Sequence, residues 1–99
     1  MIITETRNEG RVQLNIEGRV DTTTSPQLQT AILQAFQKGN QVILNLEKVE
    51  YISSAGVRAL LIGQKTANSK GGSMKVVHVC EAVMNVFEMT GFASMLTIE

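Results

Sequence analysis

Two adjacent serines, Ser53 and Ser54, stand where a connector becomes a helix, in the segment Tyr51–Arg58 (YISSAGVR). A serine hydroxyl at such a junction can cap the helix by accepting a hydrogen bond from a free backbone N–H. One serine is enough for a cap, so the second is free to face solvent. A phosphate there would meet unpaired N–H groups and the positive end of the helix dipole. We therefore expect phosphorylation to leave the fold intact and to act on a docked partner through added charge and bulk.

Gly56 lies in the first turn of the same helix. Glycine in a helix interior is unfavourable by about 1 kcal/mol relative to alanine, although the cost is smaller near an end. We interpret Gly56 as removing side-chain bulk beside the serine pair, so that the surface of another protein can approach. The alternative interpretation of the segment is purely structural, with both serines acting as caps.

Ser54, His78 and Asp21 are the residue types of a hydrolytic triad, and this His and this Asp are the only ones in the chain. The nucleophile elbow G-x-S-x-G is missing, however, and His78 stands between two valines of a predicted strand. Nothing fits the glycine-rich phosphate loops G-x-G-x-x-G or the Walker sequence. We therefore expect a binding module and not an enzyme.

Composition narrows the possible functions further. The 99 residues are 43% hydrophobic and 18% charged, which suits a single folded domain over residues 1–99. Nine basic residues balance nine acidic ones, so we expect no nucleic-acid partner. One Cys and one His cannot assemble a metal site of several such ligands, and we expect no cofactor. We expect no membrane segment and a cytoplasmic location, because no apolar run reaches about 20 residues and the N-terminus lacks a secretory pattern.

Hydrophobic periodicity predicts strands and helices in the order β-β-α-β-α-β-α-β. The predicted ranges are 2–8, 11–18, 25–37, 41–46, 54–69, 74–79, 81–90 and 96–98. Thr24 and Gln27 have the spacing of a capping box for the first helix. The runs 41–46 and 74–79 are nearly all apolar, which is typical of strands covered on both faces. This order predicts an α/β fold, with an N-terminal hairpin in a mostly parallel mixed sheet and helices packed on the sheet.

Three segments resemble motifs of one protein family. The segment YISSAGVRALL, from Tyr51, resembles the signature of STAS domains, the anti-sigma-factor antagonists of bacteria. The usual signature is Asp-Ser-Ser-Gly-Leu after an aromatic or apolar pair. Residues 18–28 resemble the family's G-x-[LV]-D loop that leads into the first helix, and residues 88–92 resemble its L-T-G-[LF] turn. The element order and the length match as well, so the resemblance covers essentially the whole chain.

The resemblance implies a partner-switching mechanism. The unmodified antagonist binds an anti-sigma factor that is also a serine kinase, and so frees a sigma factor. The kinase uses ATP to phosphorylate the signature serine, the complex dissociates, and a metal-dependent serine phosphatase restores the antagonist. By this resemblance Ser54 is the phosphoacceptor, Asp21 lies beside it at the kinase-docking surface, and Thr22, Thr23 and Gly56 line the same surface.

The chain departs from the family pattern on either side of the acceptor. Ser53 stands where an acid normally precedes the acceptor, and Ala55 follows it. The missing acid removes a negative charge next to Ser54 and makes Ser53 a second candidate acceptor on the same partner-binding surface. It also keeps an alternative open, in which the chain is a STAS adaptor without a phosphoswitch in a larger sensory or transport complex.

Overall fold

A computed structural model describes residues 1–99. The strands are β1 (Ile2–Asn8), β2 (Arg11–Glu17), β3 (Gln41–Lys48) and β4 (Ser73–Val77). The helices are α1 (Ser25–Lys38), α2 (Ser54–Lys70) and α3 (Glu81–Met89), and a 3₁₀ turn, Ala93–Met95, follows α3. None of these helices combines the length and the apolar character needed to cross a membrane.

The strands form one mixed sheet in the order β1-β2-β3-β4. β1 and β2 are antiparallel, as a hairpin must be, whereas β2 pairs in parallel with β3, and β3 pairs in parallel with β4. This arrangement confirms the predicted α/β class and the predicted order of elements. The last predicted strand, 96–98, is reduced to a single parallel bridge between Ile98 and Val76, because the residues just before it are taken up by the 3₁₀ turn.

The helices cover only one face of the sheet. Alternate residues of β2, β3 and β4 are buried, and they join the helices in one hydrophobic cluster of 22 residues. On the other face Asn45 Nδ2 donates to Asn15 Oδ1 at 3.2 Å, and Gln13 Nε2 donates to the same oxygen at 2.8 Å. The prediction that β3 and β4 are covered on both faces is therefore wrong. These amides satisfy one another within β2 and between β2 and β3, so they need no covering layer.

Helix α2 lies close to both α1 and β4 because Gly63 has no side chain. A Cβ atom at Gly63 would lie 2.7 Å from Ile32 Cγ2 and 2.8 Å from Met74 Sδ. Both neighbours are buried, so neither can move aside freely. This close packing fixes the axis of α2 over the sheet, and with it the position of the helix start that carries the two serines.

Candidate functional site

A backbone pairing brings the Asp21 loop against the serine pair. Val20 N–H donates to the carbonyl of Tyr51 at 3.0 Å, and Ser53 N–H donates to the carbonyl of Val20 at 2.8 Å. These bonds form an isolated parallel bridge between Val20 and Ile52, whose side chains are both buried. The bridge lies beyond the carboxyl ends of β2 and β3, which is where parallel α/β sheets usually present their functional loops.

The two serines have different environments. Ser53 is the N-cap of α2, with extended backbone angles, and its Oγ accepts a hydrogen bond from Gly56 N–H at 3.3 Å. Ser54 is the first residue of α2 and is exposed to solvent. Only one of the pair therefore acts as the cap, so the interpretation in which both serines are caps is wrong. The hydroxyl of Ser54 is the accessible one.

Gly56 faces the interior and not a partner. A Cβ atom there would lie 2.6 Å from Val20 Cγ1 and 2.7 Å from Ile52 Cγ1. The glycine is buried, and it lets the first turn of α2 sit directly on the Val20–Ile52 bridge. The interpretation that Gly56 clears space for another protein is therefore wrong. Its absent side chain makes room for this chain's own core.

Asp21 starts the turn that leads into α1. Its Oδ1 accepts hydrogen bonds from the N–H groups of Thr23 and Thr24, both at 3.0 Å. In return Thr24 Oγ1 accepts from Asp21 N–H at 2.9 Å. This reciprocal pattern is a capping box with threonine in the third position. The predicted box of Thr24 and Gln27 is wrong, because Thr22–Thr24 already form a turn and the box lies three residues earlier.

The contacts of Asp21 hold its pKa below the ordinary value of 3.8. The largest cause is the backbone N–H of Thr24, and partial burial of the carboxyl works against it. The Thr24 hydroxyl, the Thr23 N–H and the positive charge of Arg19 lower the pKa further. Asp21 is therefore ionised at neutral pH, and its charge orders the turn on which Thr22 and Thr23 are exposed.

Arg19 and Tyr51 lie on the two segments that the bridge joins, and neither stood out from the sequence. Arg19 Cζ is 4.1 Å from the centroid of the Tyr51 ring, which is the geometry of a cation–π contact. Arg19 Nε is also 3.8 Å from Asp21 Oδ2. Two features of the sequence could have indicated this contact. Arg19 occupies the variable position of the G-x-[LV]-D loop, and Tyr51 is an aromatic residue shortly before the serines.

The remaining candidates from the sequence do not form a hydrogen-bonded triad, since the structure shows no side-chain hydrogen bond of His78 to Asp21 or Ser54. His78 is exposed just after β4 with a left-handed φ of 57°. Asp21 Oδ1 is engaged by the Thr23 and Thr24 donors, so it does not orient an imidazole. No group of three or more His, Cys, Asp or Glu side chains lies close enough to hold a metal ion.

These features define a class: a small α/β domain that presents an exposed serine and the ordered Asp21 loop at one end of its sheet. More specifically, the chain belongs to the STAS domain family, whose model matches residues 2–99. The match confirms the family that the three motifs predicted from the sequence.

Individual relatives agree with this assignment. The anti-sigma-B factor antagonist of Bacillus subtilis (strain 168) is 27% identical over 92 residues, which cover 93% of this chain and 84% of the relative. The solved structure of the anti-sigma factor antagonist SpoIIAA in its unphosphorylated form has a TM-score of 0.82 at 20% identity, covering 99% of this chain and 88% of that one. The phosphorylated form of SpoIIAA, a Bacillus cell fate determinant, has a TM-score of 0.75 at 19% identity, covering 99% and 91%. These structural matches confirm the fold.

Proposed function

We propose that this chain is an anti-sigma-factor antagonist that works by partner switching. It binds an anti-sigma factor while Ser54 is unmodified, and so frees a sigma factor. Phosphorylation of Ser54 releases the anti-sigma factor. The observation that carries the proposal is the exposed position of Ser54 on the first turn of α2, beside a Ser53 whose hydroxyl is already engaged as the cap.

Ser54 is a better acceptor than Ser53 for a steric and an energetic reason. Ser53 is half-buried, and its Oγ lies 3.3 Å from Gly56 N, so a phosphate there would have to fit beside the packed first turn of α2. A phosphate on Ser54 keeps that cap and adds negative charge near the positive end of the helix dipole. Modification of Ser54 therefore changes the surface and leaves the helix start in place.

The partner-binding surface comprises Ser53, Ser54 and the turn that carries Thr22 and Thr23. Asp21 supports this surface by holding the turn through its two backbone hydrogen bonds. Gly56 positions this surface, because its lack of a side chain lets the first turn of α2 pack directly on the Val20–Ile52 bridge. Asp21 and Gly56 therefore act by positioning, and the threonines and serines make the contacts.

Two enzymes complete the proposed cycle. The anti-sigma factor is itself a serine kinase, which transfers the γ-phosphoryl group of ATP to Ser54 Oγ and releases ADP and the hydroxyl proton. A metal-dependent serine phosphatase hydrolyses the phosphoserine to serine and inorganic phosphate. This chain is the substrate in both steps, and its own side chains contribute positioning only.

The test uses the full chain, ATP and, one at a time, each purified serine kinase of the GHKL type that is encoded in the same genome as this chain. We expect mass spectrometry to find the phosphate on Ser54, and calorimetry to show kinase binding by the unmodified chain and by Ser54→Ala. Ser54→Glu should raise the Kd about 10-fold or more, because the new charge faces the docked kinase. The control is Ser69→Glu, an exposed serine in the last turn of α2, which should bind normally.

Two results would contradict the proposal. One is the absence of phosphate from both serines together with unchanged binding by Ser54→Glu. The other is a stable, purified partner that is neither a kinase nor an anti-sigma factor. The second result would favour the adaptor function, for which the observation is Ser53 in place of the usual acid.

A further inference from the structure

Arg19 and Tyr51 form an exposed stacked pair at the end of the sheet that carries Ser54. The centre of the guanidinium lies 4.1 Å from the ring centroid. The Arg19 side chain is 67% exposed and Tyr51 is 42% exposed, and neither belongs to the hydrophobic core. Arginine and tyrosine are among the residue types most enriched at the energetic centres of protein interfaces.

The pair is held in place before any partner arrives. Thr24 Oγ1 donates to the carbonyl of Arg19 at 2.8 Å, and Val20 N–H donates to the carbonyl of Tyr51 at 3.0 Å. The backbone on both sides of the stack is therefore fixed by hydrogen bonds. A fixed backbone and the stacked contact leave the two side chains fewer conformations to lose on binding, so each contact contributes more to affinity.

The guanidinium of Arg19 has N–H groups that donate to no acceptor of this chain. The nearest carboxylate is that of Asp21, but the gap of 3.8 Å between Arg19 Nε and Asp21 Oδ2 is too long for a hydrogen bond. The other oxygen of Asp21 is occupied by the N–H groups of Thr23 and Thr24. A planar guanidinium whose N–H groups face solvent can bind a carboxylate or a phosphate through two parallel hydrogen bonds, and the carboxylate is the one of these groups that an unmodified protein partner carries.

We propose that Arg19 and Tyr51 anchor the partner, with Arg19 receiving an aspartate or glutamate carboxylate of the anti-sigma factor kinase and Tyr51 packing beside it. This inference rests on the proposed function. The pair belongs to the same surface as Ser54, because Ser53 N–H is bonded to the residue that follows Arg19 and Tyr51 lies shortly before the serines. The contact between Arg19 and the carboxylate thus determines which kinase binds. The phosphorylation state of Ser54 determines whether the complex persists.

The experiment measures kinase binding by Arg19→Gln, Arg19→Lys, Tyr51→Leu and Tyr51→Phe at several salt concentrations. We expect Arg19→Gln and Tyr51→Leu to raise the Kd about 10-fold or more. Arg19→Gln should also flatten the dependence of Kd on salt, because one ion pair is lost. Arg19→Lys should keep the salt dependence and recover only part of the affinity. Lysine has no planar group to stack on the Tyr51 ring, and it cannot form two parallel hydrogen bonds with one carboxylate. Tyr51→Phe should bind like the wild type.

The matched control is Arg11→Gln, which removes the same charge from an exposed arginine at the opposite end of β2. Equal weakening by Arg11→Gln and Arg19→Gln would overturn the inference, because bulk charge would then explain both. Unchanged binding by Arg19→Gln and Tyr51→Leu, with binding still lost in Ser54→Glu, would overturn it and leave the proposed function standing. If the wild type binds none of the kinases, both the inference and the proposed function are contradicted. Urea unfolding of each variant separates lost binding from lost folding.

Discussion

At the scale of single residues, Ser53 and Ser54 are one position apart and have opposite roles. Ser53 Oγ satisfies the N–H of Gly56, whereas Ser54 is exposed. We predict that Ser53→Ala lowers the free energy of unfolding by about 0.5–2 kcal/mol, the usual cost of a lost cap. Ser54→Ala should change it by less than about 0.5 kcal/mol. Urea denaturation of the two variants checks this, and equal losses would contradict the assigned roles.

Asp21 makes stability depend on pH at the acidic end. Its pKa is lowered in the folded chain, so the ionised form contributes stability that is fully present above the ordinary value of 3.8. That contribution is lost as the pH falls through the folded-state pKa. Asp21→Asn keeps an oxygen that can accept the cap hydrogen bonds but cannot titrate. We predict that the wild type exceeds this variant in stability near neutral pH and loses its advantage below pH 3.8.

Urea midpoints of the wild type and Asp21→Asn across this range measure the effect. Glu50→Gln serves as the control, because it removes an exposed carboxylate that takes part in none of the ion pairs of the fold. A stability difference that stays constant from neutral to acidic pH would show that the Asp21 charge contributes nothing to the capping box.

The sequence predicted the serine pair well and the cap of α1 poorly. A polar pair before an apolar stripe requires one cap, so an accessible second hydroxyl followed from helix geometry alone. Near α1 the residues Asp21 and Thr24 have the capping-box spacing, and so do Thr24 and Gln27. Local spacing could not choose between them. The choice depends on Thr24 Oγ1, which donates to the carbonyl of Arg19, a contact that exists only in the folded loop.

At the scale of elements, Gly56 decides how the first turn of α2 meets the Val20–Ile52 bridge. Alanine would gain at most about 1 kcal/mol in helix propensity in this first turn, but its Cβ would lie 2.6 Å from Val20 Cγ1 and 2.7 Å from Ile52 Cγ1. Overpacking a core costs about 1–3 kcal/mol, so we predict a net loss of stability in Gly56→Ala. A double-mutant cycle with Val20→Ala checks the cause. The substitution should cost less once the Val20 methyl groups are gone, and an equal cost in both backgrounds would contradict steric contact with Val20.

The faces of the strands were predictable in part. In the run 41–46 the residues Val42, Leu44 and Leu46 are buried, as an apolar strand requires. The intervening positions include Gln41 and Asn45, and this alternation already indicated one wet face. A single apolar residue between them, Ile43, made the run look continuous. Which face a strand buries depends on where the helices lie, and the sequence of a single strand does not show the positions of the helices.

At the scale of the whole molecule, the parallel order of β2 and β3 places the site. Both strands end at the same edge of the sheet, so the loop that carries Asp21 and the connector that carries the serines emerge side by side. The Val20–Ile52 bridge then joins them beyond the sheet. The order of elements predicted a mostly parallel sheet, and the common edge is a consequence of that parallel pairing. The contact between Arg19 and Tyr51 could not be predicted, because it depends on the side-chain geometry across the bridge.

This architecture predicts that phosphorylation acts locally. Ser54 is exposed at the start of α2, and a phosphate there leaves the Ser53 cap and the buried bridge in place. We predict that chain phosphorylated on Ser54 differs from the unmodified chain by no more than about 1 kcal/mol in the free energy of unfolding. Amide chemical shifts should change in the Asp21 loop and the first turn of α2, and β1 and α3 should keep their spectra. Shift changes throughout the sheet would instead mean that the switch works by refolding the domain, and the partner would then be released by a change of shape and not by charge at the interface.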